Sequence, residues 1–209
     1  MFDLYVVTDR NASGGRTEAE IAEAAFKGGA DVVQLRMKDR SGREMLEQAR
    51  SIKTLADDYA KLFIVNDRID VTVLSDADGV HLGQGDISVE DARSLIGDDK
   101  LIGVTVHNVD EAIKAESDGA DYISAGSIFR TTVKSDAIQN LGLDILFTIK
   151  EEVGIPLVAI GGINRGNIQD VILAGADGAA VVSAACSGDD ITHSVHELRD
   201  LILKVRPNI

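Results

Sequence analysis

A short run of alternating polar and apolar residues carries side chains that could bind an anion. Residues 34–38 read Gln-Leu-Arg-Met-Lys and follow two valines. Successive side chains of a β-strand point to opposite faces, so Gln34, Arg36 and Lys38 would project together. Burying two cations without a negative partner is costly, which favours a strand end that faces a ligand. Two interpretations stay open from this run alone: a phosphate site, or an edge strand with solvated charges.

Two aspartates could add a metal ion to such a site. Asp67 and Asp86 each follow an apolar run typical of a strand. Carboxylate oxygens suit Mg²⁺, which usually keeps waters and binds substrate phosphates beside one or two protein carboxylates. The alternatives are a turn aspartate that pairs with Arg68, and a helix N-cap at Asp86. Together with three cations, the two carboxylates predict a diphosphate clamp; the cations are Arg36, Lys38 and Lys134.

Strand and helix signals alternate along the whole chain and must position these residues. Strands are predicted at residues 4–8, 31–36, 62–65, 79–82, 101–106, 122–129, 157–160 and 179–182. Helices are predicted to begin near Thr17, Ser41, Val71, Ser88, Asn108, Leu143, Asn167 and Asp190. Three of these starts have the spacing of a capping box, completed by Glu20, Glu44 and Glu111.

Eight such strand–helix units predict a parallel sheet. We expect an α/β fold, a single-domain (β/α)8 TIM barrel over residues 1–209. An open doubly wound sheet is the alternative, but no Gly-x-Gly-x-x-Gly follows the first strand. Gly-Ala-Asp turns recur at residues 29–31, 119–121 and 175–177, where glycine suits the end of a helix.

In a barrel, the loops after the strands line one mouth, where active sites lie. The Gly161-Gly162 pair and Ser183 follow the last two predicted strands, where barrels often bind a phosphate through backbone N–H groups. A plain turn is the alternative for the glycine pair. The connection at residues 130–141 is the longest, and we expect it to form a partly mobile lid.

Other residues with chemical potential have structural interpretations. His193 and His196 flank the apolar stripe of the last helix and are expected on a solvated face. Cys186 is expected to be a small buried residue. His81 and His107 are more consistent with hydrogen-bonded mouth or core residues than with metal ligands.

Composition excludes several classes of partner. The formal charge of −14 argues against binding to nucleic acid or to an acidic membrane surface. One cysteine permits no intramolecular disulfide, and neither a signal-peptide pattern nor an apolar stretch of spanning length is present. We expect a cytoplasmic protein that acts on small molecules, with a homo-oligomer left open.

The chain resembles the thiamine phosphate synthase (thiamine-phosphate pyrophosphorylase) family across nearly its whole length. The segments that carry the resemblance occur in family order, at residues 5–9, 34–38, 65–68, 78–86, 103–107, 126–134 and 159–163. The resemblance implies a transferase of thiamine biosynthesis. It would join 4-amino-2-methyl-5-hydroxymethylpyrimidine diphosphate to thiazole phosphate, giving thiamine phosphate and diphosphate.

The resemblance also implies roles for individual residues. The pyrimidine diphosphate would be held by Gln34, Arg36, Lys38, Asn66, Thr105 and Lys134, and Mg²⁺ by Asp67 and Asp86. The thiazole phosphate would be held by Thr131, Thr132, Val133, Gly162, Val182 and Ser183. The implied catalytic groups are Arg36, Lys38, Thr105 and Lys134, which would stabilise charge as diphosphate departs.

The chain departs from the family pattern at residues 126–134. The usual Gly-Pro-Ile-Phe-Pro-Thr-x-Thr-Lys is here Gly-Ser-Ile-Phe-Arg-Thr-Thr-Val-Lys. Val133 lacks a hydroxyl that Thr132 or Arg130 could replace, while Thr105 substitutes for a serine and keeps the hydroxyl. These differences concern the thiazole phosphate more than the diphosphate.

Two other functions are compatible with the same mouth. A related thiazole tautomerase, an isomerase, carries a histidine where this chain has Ser127, so Ser127 and the two aspartates favour the synthase. A noncatalytic sensor of phosphate ligands would bind tightly without turnover.

Overall fold

Eight parallel strands form a closed barrel in which each strand pairs with the next and β8 returns to β1. The computed structural model describes residues 2–38, 40–131 and 140–206. The strands are β1 (Leu4–Val7), β2 (Val32–Leu35), β3 (Leu62–Asn66), β4 (Gly79–Leu82), β5 (Leu101–Val106), β6 (Tyr122–Gly126), β7 (Leu157–Ile160) and β8 (Gly178–Val181). The prediction of a (β/α)8 barrel is confirmed.

Helices cover the outside of this barrel. They are α1 (Glu18–Lys27), α2 (Gly42–Tyr59), α3 (Ile69–Ser75), α4 (Val89–Ile96), α5 (Val109–Ser117), α6 (Asp144–Glu152), α7 (Ile168–Leu173), α8 (Ser183–Cys186) and α9 (Ile191–Val205). In the described part of the chain, no helix is long and apolar enough to cross a membrane.

One predicted strand boundary was wrong, and one helix was missed. The sixth strand was expected to reach residue 129 but ends at Gly126. The buried Ile128 extends the apolar run, yet its N–H donates to the carbonyl of Ile160, the last residue of β7, in the loop region beyond the strand. The four-residue helix α8 was not predicted, because four residues are too few to show helical periodicity.

The helix starts follow the predicted caps, although only one capping box is complete. Thr17 and Glu20 exchange both hydrogen bonds. At α2, Ser41 accepts from the N–H of Glu44, but the Glu44 carboxylate lies instead near two arginines, with Oε1 3.6 Å from Arg10 and 3.8 Å from Arg40. The predicted box there is wrong, and the cap remains.

The third predicted box is wrong in a similar way. Asn108 accepts from the N–H of Glu111 at 2.8 Å, as a cap should. The Glu111 carboxylate, however, accepts from the backbone N–H of His107 and from the side chain of Asn108 rather than from the N-cap backbone.

The barrel interior is a separate apolar cluster. Its buried members are Tyr5, Val7, Val32, Ile64, Tyr122, Val158 and Ala180. They occupy alternate strand positions, so they share one face of the sheet. Gly103 on β5 makes room for Tyr122, because a Cβ at residue 103 would lie 2.0 Å from the Tyr122 ring. The lower barrel is therefore packed, and any cavity must lie towards one mouth.

The mouth at the amino ends of the strands repeats one arrangement four times. An aspartate stands directly before β2, β4, β6 and β8, and its carboxylate accepts from a backbone N–H near the start of the preceding strand. We call these the aspartate clasps; they are Asp31 with Leu4, Asp78 with Phe63, Asp121 with Ile102, and Asp177 with Leu157, at 3.2, 2.8, 2.7 and 2.8 Å.

Each clasp also contains an ion pair. The basic partners are Lys61 and Arg199 for Asp31, Lys53 for Asp78, Arg93 for Asp121, and Lys150 for Asp177. Three clasps coincide with the predicted Gly-Ala-Asp turns. The fourth was missed because Asp76, with φ +55°, takes the left-handed position that glycine takes elsewhere.

Candidate active site

A cavity of about 460 Å³ opens at the carboxyl ends of the strands. It is lined by every described residue of the predicted binding, catalytic and metal sets: Gln34, Arg36, Lys38, Asn66, Asp67, Asp86, Thr105, Thr131, Gly162, Val182 and Ser183. Thr132, Val133 and Lys134 lie outside the described residues, as does most of the predicted lid. Residues from all eight strand ends thus meet around one space.

The Asp67 and Asp86 carboxylates lie side by side at this mouth. Burial raises the pKa of Asp67 above its usual range, and the neighbouring Asp86 charge raises it further, against the lowering effect of Lys38 and Asn66. The Asp67 backbone is left-handed, with φ +61°, and its N–H donates to the His81 carbonyl at 2.9 Å. Two mutually repelling carboxylates at one edge of the cavity could jointly hold a cation.

The structural alternatives for these aspartates are not observed. Arg68 pairs with Asp70, with Nε 2.8 Å from Oδ1. Helix α4 is capped by Ser88, and the Asp86 carboxylate instead accepts from the N–H of Gly83 at 2.7 Å. Both carboxylates are therefore held near the cavity by β3–α3 and β4–α4 loop geometry.

The donor set fits a hard divalent cation. Both groups are carboxylates, and the cavity beside them can admit further oxygen ligands from water or a phosphate. Among the residues that the structure describes, no three His, Cys, Asp or Glu side chains gather into a metal cluster. The arrangement matches a cation bound by two carboxylates and a substrate, rather than one enclosed by protein.

The predicted cationic row lies beside the carboxylates. The edge-strand interpretation is wrong, because β2 pairs with both β1 and β3. The Arg36 backbone N–H donates to Thr8 Oγ1 at 3.1 Å, and its guanidinium lies 3.9 Å from Asp9. Lys38 is exposed at the rim and close enough to lower the pKa of Asp67. An anion entering here would meet two cations together.

A line of hydrogen bonds crosses the floor of the cavity. Gln34 Nε2 donates to Tyr5 Oη at 2.8 Å, and Tyr5 Oη lies 3.0 Å from Tyr122 Oη. Tyr122 Oη lies 3.0 Å from His81 Nδ1, and His81 Nε2 lies 2.9 Å from Thr105 Oγ1. Burial raises the pKa of both tyrosines, so each keeps its hydroxyl proton at neutral pH.

Sequence reasoning missed both tyrosines. Tyr5 and Tyr122 were expected only as members of buried strands. The available signal was the two-residue alternation, which puts Tyr5 on the same strand face as Val7. In the β1–β2 register Val7 pairs with Gln34, and Tyr5 pairs with Val32. His81 was expected as a hydrogen-bonded mouth or core residue, and this is confirmed.

The glycine pair after β7 is more than a plain turn. Gly161 and Gly162 have φ of +102° and +66°, which other residues rarely adopt. A Cβ on Gly161 would lie 2.5 Å from Ser127 Cβ, and one on Gly162 would lie 2.6 Å from the Arg130 carbonyl oxygen. These glycines let the loop after β7 pack closely against the loop after β6 while both line the cavity, as Ser183 at the start of α8 also does.

The remaining candidates behave as predicted. His193 and His196 are 64% exposed and lie near acidic residues one turn further along α9. Cys186 is fully buried, and burial raises the pKa of its thiol to about 11, so it stays protonated. His107 lies at the cavity, with Nδ1 2.9 Å from Glu111.

Comparison with known proteins gives one consistent family. The family model described as thiamine monophosphate synthase matches residues 4–185. The chain is 52% identical over 199 residues to the thiamine-phosphate synthase of Chloroflexus aurantiacus, covering 95% of this chain and 92% of that one. It is 47% identical over 201 residues to the synthase of Methanoculleus marisnigri, covering 96% and 95%.

A solved structure agrees with the sequence relatives. Thiamine phosphate pyrophosphorylase from Pyrococcus furiosus superposes with a TM-score of 0.90 and 41% identity. The match covers 98% of this chain and 96% of that one. The similarity therefore includes the whole barrel, not one shared motif.

Proposed function

The chain belongs to the thiamine monophosphate synthase family and has that family's transferase activity, and from this premise we propose which residues of the cavity perform the reaction. The proposed substrates are 4-amino-2-methyl-5-hydroxymethylpyrimidine diphosphate and thiazole phosphate, small molecules handled in the cytoplasm. The observation that supports this assignment is the meeting of a carboxylate pair, a cationic row and a glycine-lined rim in one cavity.

We assign the pyrimidine diphosphate to the half of the cavity formed by β2 to β5. Arg36 and Lys38 would bind the diphosphate oxygens, with Lys134 as a third cation from the loop after β6. Gln34, Asn66 and Thr105 would supply hydrogen bonds to the same substrate. Charge-assisted hydrogen bonds of this kind are about twice as strong as neutral ones.

We assign the thiazole phosphate to the half formed by β6 to β8. Gly162, Val182 and Ser183 line the cavity there. Close backbone approach at the glycines and the first N–H groups of α8 suit an anion. Thr131, Thr132 and Val133 would complete this side.

We propose that Asp67 and Asp86 hold a Mg²⁺ ion, which would neutralise charge on the departing diphosphate. The support is the raised pKa of Asp67, whose causes, burial and the Asp86 charge, are both offset by a bound cation. The charge of Lys38 and a side-chain hydrogen bond with Asn66 lower that pKa and so favour the ionised carboxylate that would bind the cation.

The chemistry requires positioning more than a strong base. The bond between the pyrimidine methylene carbon and the diphosphate oxygen breaks, and diphosphate leaves with the electron pair. The ring amino group donates electron density to the resulting cation, and the thiazole nitrogen then forms the new carbon–nitrogen bond. Arg36, Lys38 and Lys134 would stabilise the leaving group, and Thr105 would donate a hydrogen bond to it.

The reaction is tested by mass spectrometry of protein mixed with both substrates and MgCl₂. We expect thiamine phosphate to form, and EDTA to abolish its formation. Coupling that is insensitive to EDTA would contradict the metal assignment. Folded protein that leaves both substrates intact would contradict the proposed substrate pair.

A further inference from the structure

The hydrogen-bond line on the cavity floor has a direction. Its first member is the Gln34 side-chain NH₂ group, which can only donate, and it donates to Tyr5 Oη. A neutral tyrosine has one hydroxyl proton, and with Gln34 donating to Tyr5 Oη, that proton is available for a hydrogen bond to the nearest acceptor, Tyr122 Oη at 3.0 Å. Tyr122 is then left with one proton to donate and one ring nitrogen, His81 Nδ1, at 3.0 Å.

The same direction extends to the far end. If His81 Nδ1 accepts from Tyr122, that nitrogen carries no proton, and the ring proton is on Nε2. Nε2 then donates to Thr105 Oγ1 at 2.9 Å. Thr105 Oγ1 accepts this hydrogen bond, so its own hydroxyl proton can be donated to another partner. The Thr105 side chain lines the cavity.

We propose that Gln34, Tyr5, Tyr122 and His81 form a one-way hydrogen-bond chain that holds His81 as the Nε2–H tautomer and aims the Thr105 hydroxyl proton into the cavity. The four are positioning residues for Thr105. That the proton meets the departing diphosphate rests on the proposed function; the direction of the chain does not.

The opposite direction would disable Thr105 as a donor. With the proton on His81 Nδ1, Nε2 would accept from Thr105, whose hydroxyl would then offer only lone pairs to the cavity. Diphosphate oxygens are acceptors, so lone pairs would face lone pairs. The direction that begins with the Gln34 donor is the one that gives the leaving group a hydrogen bond.

The packing supports a fixed geometry. Tyr5 and Tyr122 are 2% and 1% exposed, so packing holds both rings and their hydroxyls in place. Gly103 leaves space for the Tyr122 ring, since a Cβ there would lie within 2.5 Å of three of its atoms.

Nitrogen-15 NMR of the ligand-free protein labelled on histidine tests the tautomer. The chain has four histidines, and the variants His107→Gln, His193→Gln and His196→Gln identify the His81 signals by elimination. We expect His81 with a protonated Nε2 and an unprotonated Nδ1 at neutral pH. A proton on Nδ1, alone or with Nε2, would overturn the inference.

The variant Tyr122→Phe tests the consequence for catalysis. Without this hydroxyl His81 Nδ1 loses its donor, so we expect a mixture of tautomers and a kcat lowered about fivefold, the scale of one neutral hydrogen bond. KM for thiazole phosphate should not change. The matched control Tyr59→Phe removes a hydroxyl at the end of α2, which is not part of the hydrogen-bond chain. It should leave the His81 tautomer and kcat unchanged.

The outcomes separate this inference from the proposed function. An unchanged kcat and tautomer in folded Tyr122→Phe would overturn the positioning role. Wild-type protein that forms no thiamine phosphate would contradict the proposed substrates, while the tautomer measurement would still decide the direction of the chain.

Discussion

Asp67 combines three unfavourable features at one residue. Its backbone is left-handed with φ +61°, its carboxylate is partly buried, and a second carboxylate lies beside it. Strained backbone of this kind persists where the surrounding structure over-determines it, often at functional sites. A cation between Asp67 and Asp86 would relieve the electrostatic part of this cost.

Asp67→Asn should therefore make the metal-free protein more stable and less active. Asparagine tolerates the left-handed backbone, so only the charge is lost. We expect a gain of about 1 kcal/mol, or roughly 2–4 °C in Tm at pH 7, and turnover lower by roughly 100-fold. Because the folded pKa is raised, the gain should be complete above that pKa and vanish below the unfolded value of about 3.9.

Thermal unfolding with and without MgCl₂, together with turnover, measures these effects. Wild-type Tm should rise with Mg²⁺, and that of Asp67→Asn should not. Asp70→Asn is the control, since Asp70 is exposed and pairs with Arg68 outside the cavity. A wild-type response to Mg²⁺ in Asp67→Asn would remove Asp67 from the metal site.

At the scale of residues, the sequence predicts which polar side chains lie at the strand ends. It does not predict which side chains form hydrogen bonds inside the barrel. Gln34, Arg36 and Lys38 could be placed because their two-residue spacing is local. Tyr5 and Tyr122 could not, because their hydroxyls meet only when β1 and β6 face each other across the closed barrel. The sequence around either tyrosine contains no signal that the two hydroxyls lie close together.

The aspartate clasps show how single elements are joined at the other mouth. Burial tends to raise the pKa of Asp31, but hydrogen bonds from Lys61, the Leu4 N–H and Arg199 outweigh burial and hold the pKa below its usual range. The ionised carboxylate therefore stabilises the fold. Its three partners lie on β1, before β3 and on α9, so one side chain connects elements far apart in sequence.

Asp31→Asn should destabilise the protein without touching the cavity. Loss of the charge weakens the bonds to Lys61 and Arg199, and we expect about 2 kcal/mol, or roughly 4–8 °C in Tm, at pH 7. Since the folded pKa is lowered, the wild-type advantage should be complete above the unfolded value of about 3.9 and disappear as pH falls through the folded pKa.

Thermal unfolding of both proteins from pH 7 downwards checks this expectation. Asp118→Asn is the matched control, because Asp118 forms only an exposed pair with Lys114 on α5, worth under about 1 kcal/mol. Equal Tm values for Asp31→Asn and wild type at pH 7 would show that the clasp contributes nothing measurable.

Element prediction succeeded where local signals are strong. Caps at Thr17, Ser41 and Asn108 mark helix starts because a side chain there satisfies a nearby backbone N–H. The partners of Glu44 and Glu111 could not be predicted, since neighbouring arginines and His107 compete for the carboxylates. The clasp at Asp78 was not predicted, because the left-handed residue of its turn is Asp76 and not a glycine.

The protein as a whole is strongly acidic, yet cationic side chains lie together in its active site. With a formal charge of −14, the long-range field repels anions, and attraction is confined to the cavity, where Arg36 and Lys38 lie. Closure of the barrel was predictable from eight repeated units. Which side chains converge across it was not, because convergence depends on the stagger of all eight strands.

The backbone hydrogen bonds of the aspartate clasps pair the strands into four two-stranded modules, β1–β2, β3–β4, β5–β6 and β7–β8, while the ion pairs of Asp31 also reach Lys61 and Arg199 outside its module. The described ends of the chain are adjacent, with Arg206 2.8 Å from Asp3, so a short linker could join them and new termini could be opened elsewhere. A circular permutant opened at residues 98–99, between modules, should keep nearly the wild-type Tm. One opened at residues 118–119, inside the β5–β6 module, should lose roughly 4–8 °C, about 2 kcal/mol.

Both openings lie in exposed helix-to-strand loops, and the one at 118–119 also cuts the turn whose N–H groups at Gly119 and Ala120 bond to the end of α5. Thermal unfolding of the two permutants would measure the difference, and equal Tm values would mean that the modules have no separate existence. If they differ as expected, the barrel is assembled from four two-stranded units, and the boundaries between these units are where the chain can be cut at least cost in stability.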